Sequence, residues 1–287
     1  MMKTNSTYNS KKSKEDEFFQ EIDVPFSNSK EDAWNDFSKK IQTLQPTTKS
    51  VKIISMSFYR VAAAVLILVT CTTLYLKNIE KTILCEKGTH INHVLPDGSL
   101  VALNAASSIS YHPYWWYFNR EVLLDGEAFF NVKKGQKFSV ISNNKITEVL
   151  GTSFNIYARN NHYDVFCKTG KVKVSNSKIE LTIVPGELAI LNTKNGKVEI
   201  AEEKKILSWQ QNKFIYNATP LKDVFEEIER QYNTTIHVNL HAHSKYIFTG
   251  YFIKKIPIDS TIQMIGNRFN LQVEKNDSNQ YIVSAKI

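Results

Sequence analysis

This sequence predicts a multi-domain membrane protein. It should have a short helical arm, one transmembrane helix, an all-β domain of solenoid or sandwich-like form, and a final α+β module with the order β-α-β-β-α-β-β. Three observations carry that expectation. One long apolar run, SFYRVAAAVLILVTCTTLYLKN, occupies residues 57–78 of a 287-residue chain. Behind it, residues 82–200 are divided by turn-forming residues into short alternating segments. After Trp209 a helix-and-strand unit occurs twice.

The arm comprises residues 1–52. Its first sixteen residues are polar and expected to be mobile. Ser29 followed by Asp32 has helix-start chemistry, a hydroxyl acceptor with a carboxylate three residues on. Ala33, Trp34, Phe37, Ile41 and Leu44 then fall on one helical stripe, and Pro46 ends the pattern. Phe18, Phe19, Ile22 and Val24 add apolar surface, but so few large side chains do not make a core. The stripe therefore calls for a cover. A partner protein fits best, ahead of the membrane surface or the chain's own phenylalanines.

The transmembrane segment is placed at residues 53–77. Sixteen residues from Val61 to Leu76 carry no charge, and Arg60 lies where its guanidinium can reach the headgroups. Lys39, Lys40, Lys49, Lys52 and Arg60 precede the run, whereas Lys77, Lys81 and Lys87 follow it. That bias puts the N-terminus in the cytoplasm. A competing reading takes MSFYRVAAAVLILVTC as a lipoprotein export signal with Cys71 lipidated. With Cys71 in the span, Cys85 and Cys167 are left in an oxidising compartment, as a disulfide or as two thiols.

The net charge of +8 invites a nucleic-acid reading, which its distribution opposes. Residues 1–52 hold nine lysines and eight acids, and the excess beyond the apolar run is spread over some 210 residues. No helix-turn-helix punctuation or basic stripe accompanies it, so direct nucleic-acid binding is not expected.

Within residues 82–200, PDG (96–98), LDGE (124–127), NN (143–144), KTGK (168–171), NSK (176–178), PGE (185–187) and KNGK (194–197) read as turns. His90 with His93, and His241 with His243, have spacings a metal could use, but no acid or cysteine cluster completes a set. Glu127 lacks a partner for acid–base work and reads as a structural carboxylate at a turn. No catalytic, cofactor or metal site is expected, and no enzymatic activity. YHPYWWYF (111–118) is read as a hydrophobic loop on its own β-core, with a protein interface or sugar stacking as the functional alternatives.

The repeat aligns ATPLKDVFEEIERQYNTTIHV with KIPIDSTIQMIGNRFNLQV. Pro220 falls on Pro257, Phe225 on Ile262, Ile228 on Ile265, and Tyr232 on Phe269. Each copy starts a helix at proline, ends it near asparagine and continues as a strand. The two units, over residues 208–287, are expected to share one sheet with both helices on one face.

Taken in order, LPDGSLVALNAASSISYHP, REVLLDGEAFFNVKK, KFSVIS, VLGTSFNIYA, KTGKVKV, VPGELAIL, WQQNKFIYNATPLKDVFEEIERQYN and FTGYF resemble the FecR family of membrane-bound sigma-factor regulators, in its Bacteroidota-type form. The resemblance runs from about Lys30 to the end. It implies a bacterial inner-membrane protein with one pass, its N-terminus cytoplasmic and its C-terminus periplasmic. The arm would bind an extracytoplasmic-function (ECF) sigma factor, with Trp34, Phe37, Ile41 and Leu44 as contacts. Residues 82–200 would be the periplasmic FecR domain. The terminal repeat, similar to the secretin and TonB short N-terminal domain, would meet the signalling domain of an outer-membrane TonB-dependent receptor. Tyr251 and Phe252 are the expected receptor contacts. The alternative of another class is a membrane-anchored or lipidated surface glycan-binding protein that uses Trp115 and Trp116.

Overall fold

The computed structural model describes residues 29–43, 56–160, 162–191, 195–239, 246–276 and 280–286. Phe18, Phe19, Ile22, Val24, Leu44, Pro46, His241 and His243 lie outside the described residues. The chain divides into two units, residues 1–62 and 63–287.

The first unit contains helix α1 (Lys30–Thr43). The Ser29 hydroxyl oxygen accepts the Asp32 amide at 3.2 Å and donates to the Asp32 carboxylate at 2.7 Å. Glu31 and Asp32 in the first turn and Lys40 in the last complement the helix dipole. No residue of α1 is buried.

Helix α2 (Met56–Asn78) runs across the boundary between the units. Its stretch Tyr59–Asn78 has a mean hydropathy of 1.7 and no buried share, and is long and apolar enough to cross a membrane. The hydroxyls of Thr70, Thr72 and Thr73 donate back to the carbonyls of Leu66, Leu68 and Val69 at 2.8, 2.8 and 2.6 Å. Each is thereby satisfied without water.

The second unit is mostly β. Its first strands are β1 (Lys81–Cys85), β2 (Ile91–Val94), β3 (Leu100–Leu103), β4 (Ser107–Tyr111), β5 (Arg120–Asn131), β6 (Phe138–Ser142) and β7 (Lys145–Val149). They are followed by β8 (Ser153–Ala158), β9 (Asp164–Thr169), β10 (Val172–Ser175), β11 (Glu180–Ile183), β12 (Glu187–Leu191) and β13 (Gly196–Ile200). One sheet runs β1-β4-β5-β6-β7-β10-β11 and the other β2-β3-β5-β8-β9-β12-β13, with β5 common to both. All pairings are antiparallel except β5 with β6. The inner faces meet in one core, where Phe130 stacks on Phe154 at 5.1 Å and meets Phe138 edge-on at 6.1 Å. This is the sandwich-like arrangement.

The LDGE segment is not a turn. It lies inside the twelve-residue β5, at the point where the strand passes from one sheet to the other. Val122–Asp125 pair with β4, whereas Gly126–Asn131 pair with β8. Gly126 has φ of +100°, and a Cβ there would stand 2.5 Å from the Ser107 hydroxyl and 2.9 Å from its Cα. Glycine is demanded by a sheet switch and by a close strand, for the same conformational reason that turns demand it.

After β13 come helix α3 (Glu203–Ile206), a 3₁₀ turn (Ser208–Gln211), β14 (Lys213–Pro220), α4 (Leu221–Tyr232), β15 (Thr235–Asn239), β16 (Ile247–Ile253), α5 (Ile258–Arg268), β17 (Leu271–Asn276) and β18 (Gln280–Ala285). Pro220 and Pro257 sit at the N-caps of α4 and α5. Asn233 takes the left-handed conformation that closes α4. The stripe Leu221, Val224, Phe225 and Ile228 is buried, each side chain contributing about 1.5–3 kcal/mol. The expectation of one shared sheet is corrected: among the described strands β14 pairs only with β16, and β15-β18-β17 form a separate three-stranded sheet. β15 runs parallel to β18, so its helix α4 joins two different sheets. A single core, including Phe214, Phe225, Ile262 and Tyr281, holds both sheets and both helices together.

Candidate partner surfaces and the buried junction

On α1, Trp34, Phe37 and Ile41 are 67%, 55% and 53% exposed, large values for side chains of this size. Their i, i+3, i+7 spacing places them on one stripe, and the Trp34 and Phe37 rings are 5.9 Å apart. Leu44 falls beyond the described residues. The stripe therefore offers a small apolar face carried by a well-capped helix.

On β16 the expected pair separates. Tyr251 is 58% exposed, with the Lys213 ammonium 4.5 Å from its ring centroid. Phe252 is corrected to a core position: it is 2% exposed and stacks on Phe214 at 4.7 Å and Tyr216 at 5.9 Å. Adjacent strand residues face opposite ways, so both could not share one surface. Among the described strands, β16 has only β14 beside it, which leaves its other edge open.

The third feature was not visible in sequence. The α+β module packs on the β-sandwich through a buried polar cluster centred on Glu127 of β5. Glu127 accepts hydrogen bonds from Asn104 (2.8 Å) and from Asn155 of β8 (2.9 Å). From α4, Gln231 donates to Asn104 and to Glu227, both at 2.7 Å. Glu227 also accepts two bonds from Arg230, at 2.9 and 2.8 Å. Trp209 donates to Asn155 at 3.2 Å. His90 meets Gln231 at 3.0 Å and presents its ring to the edge of Trp209 at 5.5 Å. The Gly88 amide donates to the Arg230 carbonyl at 2.8 Å.

Burial, and then the nearby Glu227 carboxylate, push the Glu127 carboxyl from its ordinary 4.5 to about 7. Burial likewise raises Asp164 to about 6 and lowers His90. A cavity of about 390 Å³ opens beside the cluster, lined by Glu127, Tyr157, Trp209, Tyr216 and Arg230. Glu127 is thus a structural carboxylate, though on a strand rather than at a turn. The only hint in the sequence was an acid set between apolar neighbours in LDGEAFF.

His90 and His93 do not share a site. His90 belongs to the junction, and His93 lies 2.9 Å from the Tyr111 hydroxyl. Among the described residues no group of three or more His, Cys, Asp or Glu is placed to hold a metal. Cys85 and Cys167 are separate buried thiols in the sandwich core. In the aromatic loop Trp116 is 5% exposed and packs on Tyr111 and Phe138, whereas Tyr114, Tyr117 and Phe118 are 62%, 79% and 67% exposed.

The family model described as FecR protein matches residues 81–173, and that described as FecR, C-terminal matches residues 213–283. The first covers the strands that meet at β5; the second covers the helix-and-strand repeat. The chain belongs to the FecR family. No curated protein matches it. Two solved structures of a candidate anti-sigma factor from Parabacteroides distasonis ATCC 8503, at 2.50 Å and 1.65 Å, resemble this FecR protein at 27% identity. Their TM-scores are 0.66 and 0.65; the matches cover 73% and 72% of this chain and 100% of those chains.

Proposed function

We propose that this FecR-family protein is a transmembrane anti-sigma factor or sigma regulator. It relays a periplasmic signal, received from an outer-membrane TonB-dependent receptor, to an ECF sigma factor in the cytoplasm. The observation that carries the reading is the exposed stripe Trp34, Phe37 and Ile41 on α1, an apolar face left uncovered by the described residues. The similarity to a candidate anti-sigma factor gives that face a class of partner. Helix α2 serves as the single span of the inner membrane, with the arm inside, in accord with the cations before it. Leu44 is proposed as a further sigma contact. On the periplasmic side, Tyr251 and the open edge of β16 receive the receptor by strand addition.

The test is co-purification of the full chain with the sigma factor, comparing wild type with Trp34→Ala/Phe37→Ala. Loss of a buried aromatic anchor should weaken the complex by at least about 1–2 kcal/mol, roughly five- to thirtyfold in affinity. Undiminished co-purification would refute the assignment of α1. The glycan-binding reading loses one of its two tryptophans, because Trp116 is packed into the sandwich core.

A further inference from the structure

We infer that the aromatic loop, residues 112–119, is a membrane-surface foot that seats the β-sandwich on the outer face of the bilayer spanned by α2. The inference rests on the reading of α2 as a span. Only Ile79 and Glu80 separate α2 from β1, so the sandwich begins directly at the helix end. Lys81 of β1 pairs with Tyr111 of β4, which brings the loop that follows Tyr111 to that same end. Two further contacts fix it there. The His112 Nδ1 lies 3.1 Å from the Ile79 carbonyl oxygen, and the Lys77 ammonium lies 5.5 Å from the Trp115 ring centroid. The loop therefore adjoins the last turn of the helix, at the level where a bilayer gives way to water.

Its side chains suit that level. Trp116 is driven into the core beneath Tyr111 and Phe138 and holds the loop in place. Tyr114, Tyr117 and Phe118 point outward and remain exposed, and the Trp115 and Phe118 rings lie 4.7 Å apart. Tyrosine and tryptophan prefer the headgroup zone, where a ring can leave water while its polar tip stays solvated. Lys77 and Lys81 stand beside them and favour anionic headgroups. Exposed Tyr59 and Tyr75, near the two ends of α2, lie where interfacial tyrosines are expected. A large exposed aromatic group beside a span is thus matched by a lipid surface, with no second protein needed.

The experiment uses the full chain with Cys71→Ser, reconstituted in vesicles of phosphatidylethanolamine and phosphatidylglycerol. A nitroxide is attached in turn at Tyr117→Cys, Leu68→Cys and Lys178→Cys, leaving the buried Cys85 and Cys167 unlabelled. Collision rates with oxygen and with a water-soluble nickel chelate report depth. The Tyr117 label should lose nickel accessibility relative to Lys178 while keeping oxygen accessibility, at a depth shallower than Leu68. A Tyr117 label as open to nickel as Lys178, with Leu68 deep, overturns the foot and leaves the span intact. A Tyr117 label shielded from both reagents indicates protein cover and also overturns it. A Leu68 label open to nickel overturns the span and the foot together.

Discussion

Replacing Glu127 by glutamine tests whether the junction is held by a carboxyl that must stay neutral. Glu127 accepts one bond from each of Asn104 and Asn155, and neither asparagine is free to turn over. The Asn104 oxygen already accepts from Gln231 and from the Ala105 amide, and the Asn155 oxygen accepts from Trp209. A glutamine can satisfy one of the two donors, but its own NH₂ must face the other. That mismatch should cost about 1–3 kcal/mol. Glu127 itself carries an opposite penalty at high pH. Its folded value is raised from 4.5 to about 7, so between those values the native state holds a proton that the unfolded chain has released. The associated stability is fully present below the unfolded value and is lost as pH rises through 7; at about 1.36 kcal/mol per unit it amounts to roughly 3 kcal/mol. Urea unfolding of residues 79–287 should therefore find Glu127→Gln less stable than wild type near about pH 5, and equal or more stable near about pH 8. Asp164 titrates in both proteins and cancels in the difference. A wild-type-to-variant difference of the same sign and size at both pH values would refute the argument.

Three further outcomes follow from the packing. Phe252→Ala should destabilise the α+β module by about 3–5 kcal/mol, whereas Tyr251→Ala should stay within about 0.5 kcal/mol; denaturant midpoints separate the two. Gly126→Ala places a Cβ against the Ser107 backbone at positive φ, and should lower the thermal midpoint of the sandwich measurably by calorimetry. Asn104→Ala and Gln231→Ala should be non-additive, with a coupling of about 0.5–3 kcal/mol in a double-mutant cycle, because each leaves the other short of a partner.

What could be read in the sequence was what depends on near neighbours. The cap at Ser29, the apolar α2, and the helices behind Pro220 and Pro257 each follow from residues within about one or two helical turns. The asparagine turn between β6 and β7 is of the same kind, since both Asn143 and Asn144 take positive φ there. LDGE misled because glycine answers to backbone conformation, and a strand changing sheets needs the same conformation as a turn. The division of the module into two sheets was hidden because pairing order leaves no local trace. Phe252 was misplaced because YFI is apolar on both faces of β16, so alternation gives no sign of which residue points inward. The Glu127 cluster was the least legible part. Its bond from Gln231 to Asn104 joins residues more than a hundred positions apart.

Under the proposed function, that cluster also limits how a signal would cross the second unit. Its groups are buried and bonded to one another, and several have two partners. Moving α4 by an ångström or two would break the bonds of Gln231 to Asn104 and His90 and of the Gly88 amide to the Arg230 carbonyl, at the cost of unsatisfied polar groups at a largely buried seam. A graded deformation is therefore the expensive path, and the junction favours two arrangements, closed or opened to water. A receptor that touches β16 can favour the opened arrangement only by binding it more tightly than the closed one. The edge of β16 allows that difference in principle: β16 pairs directly with β14, which leads into α4, the helix that supplies Glu227, Arg230 and Gln231. Added strand pairing on β16 would act on the element that the polar cluster holds shut.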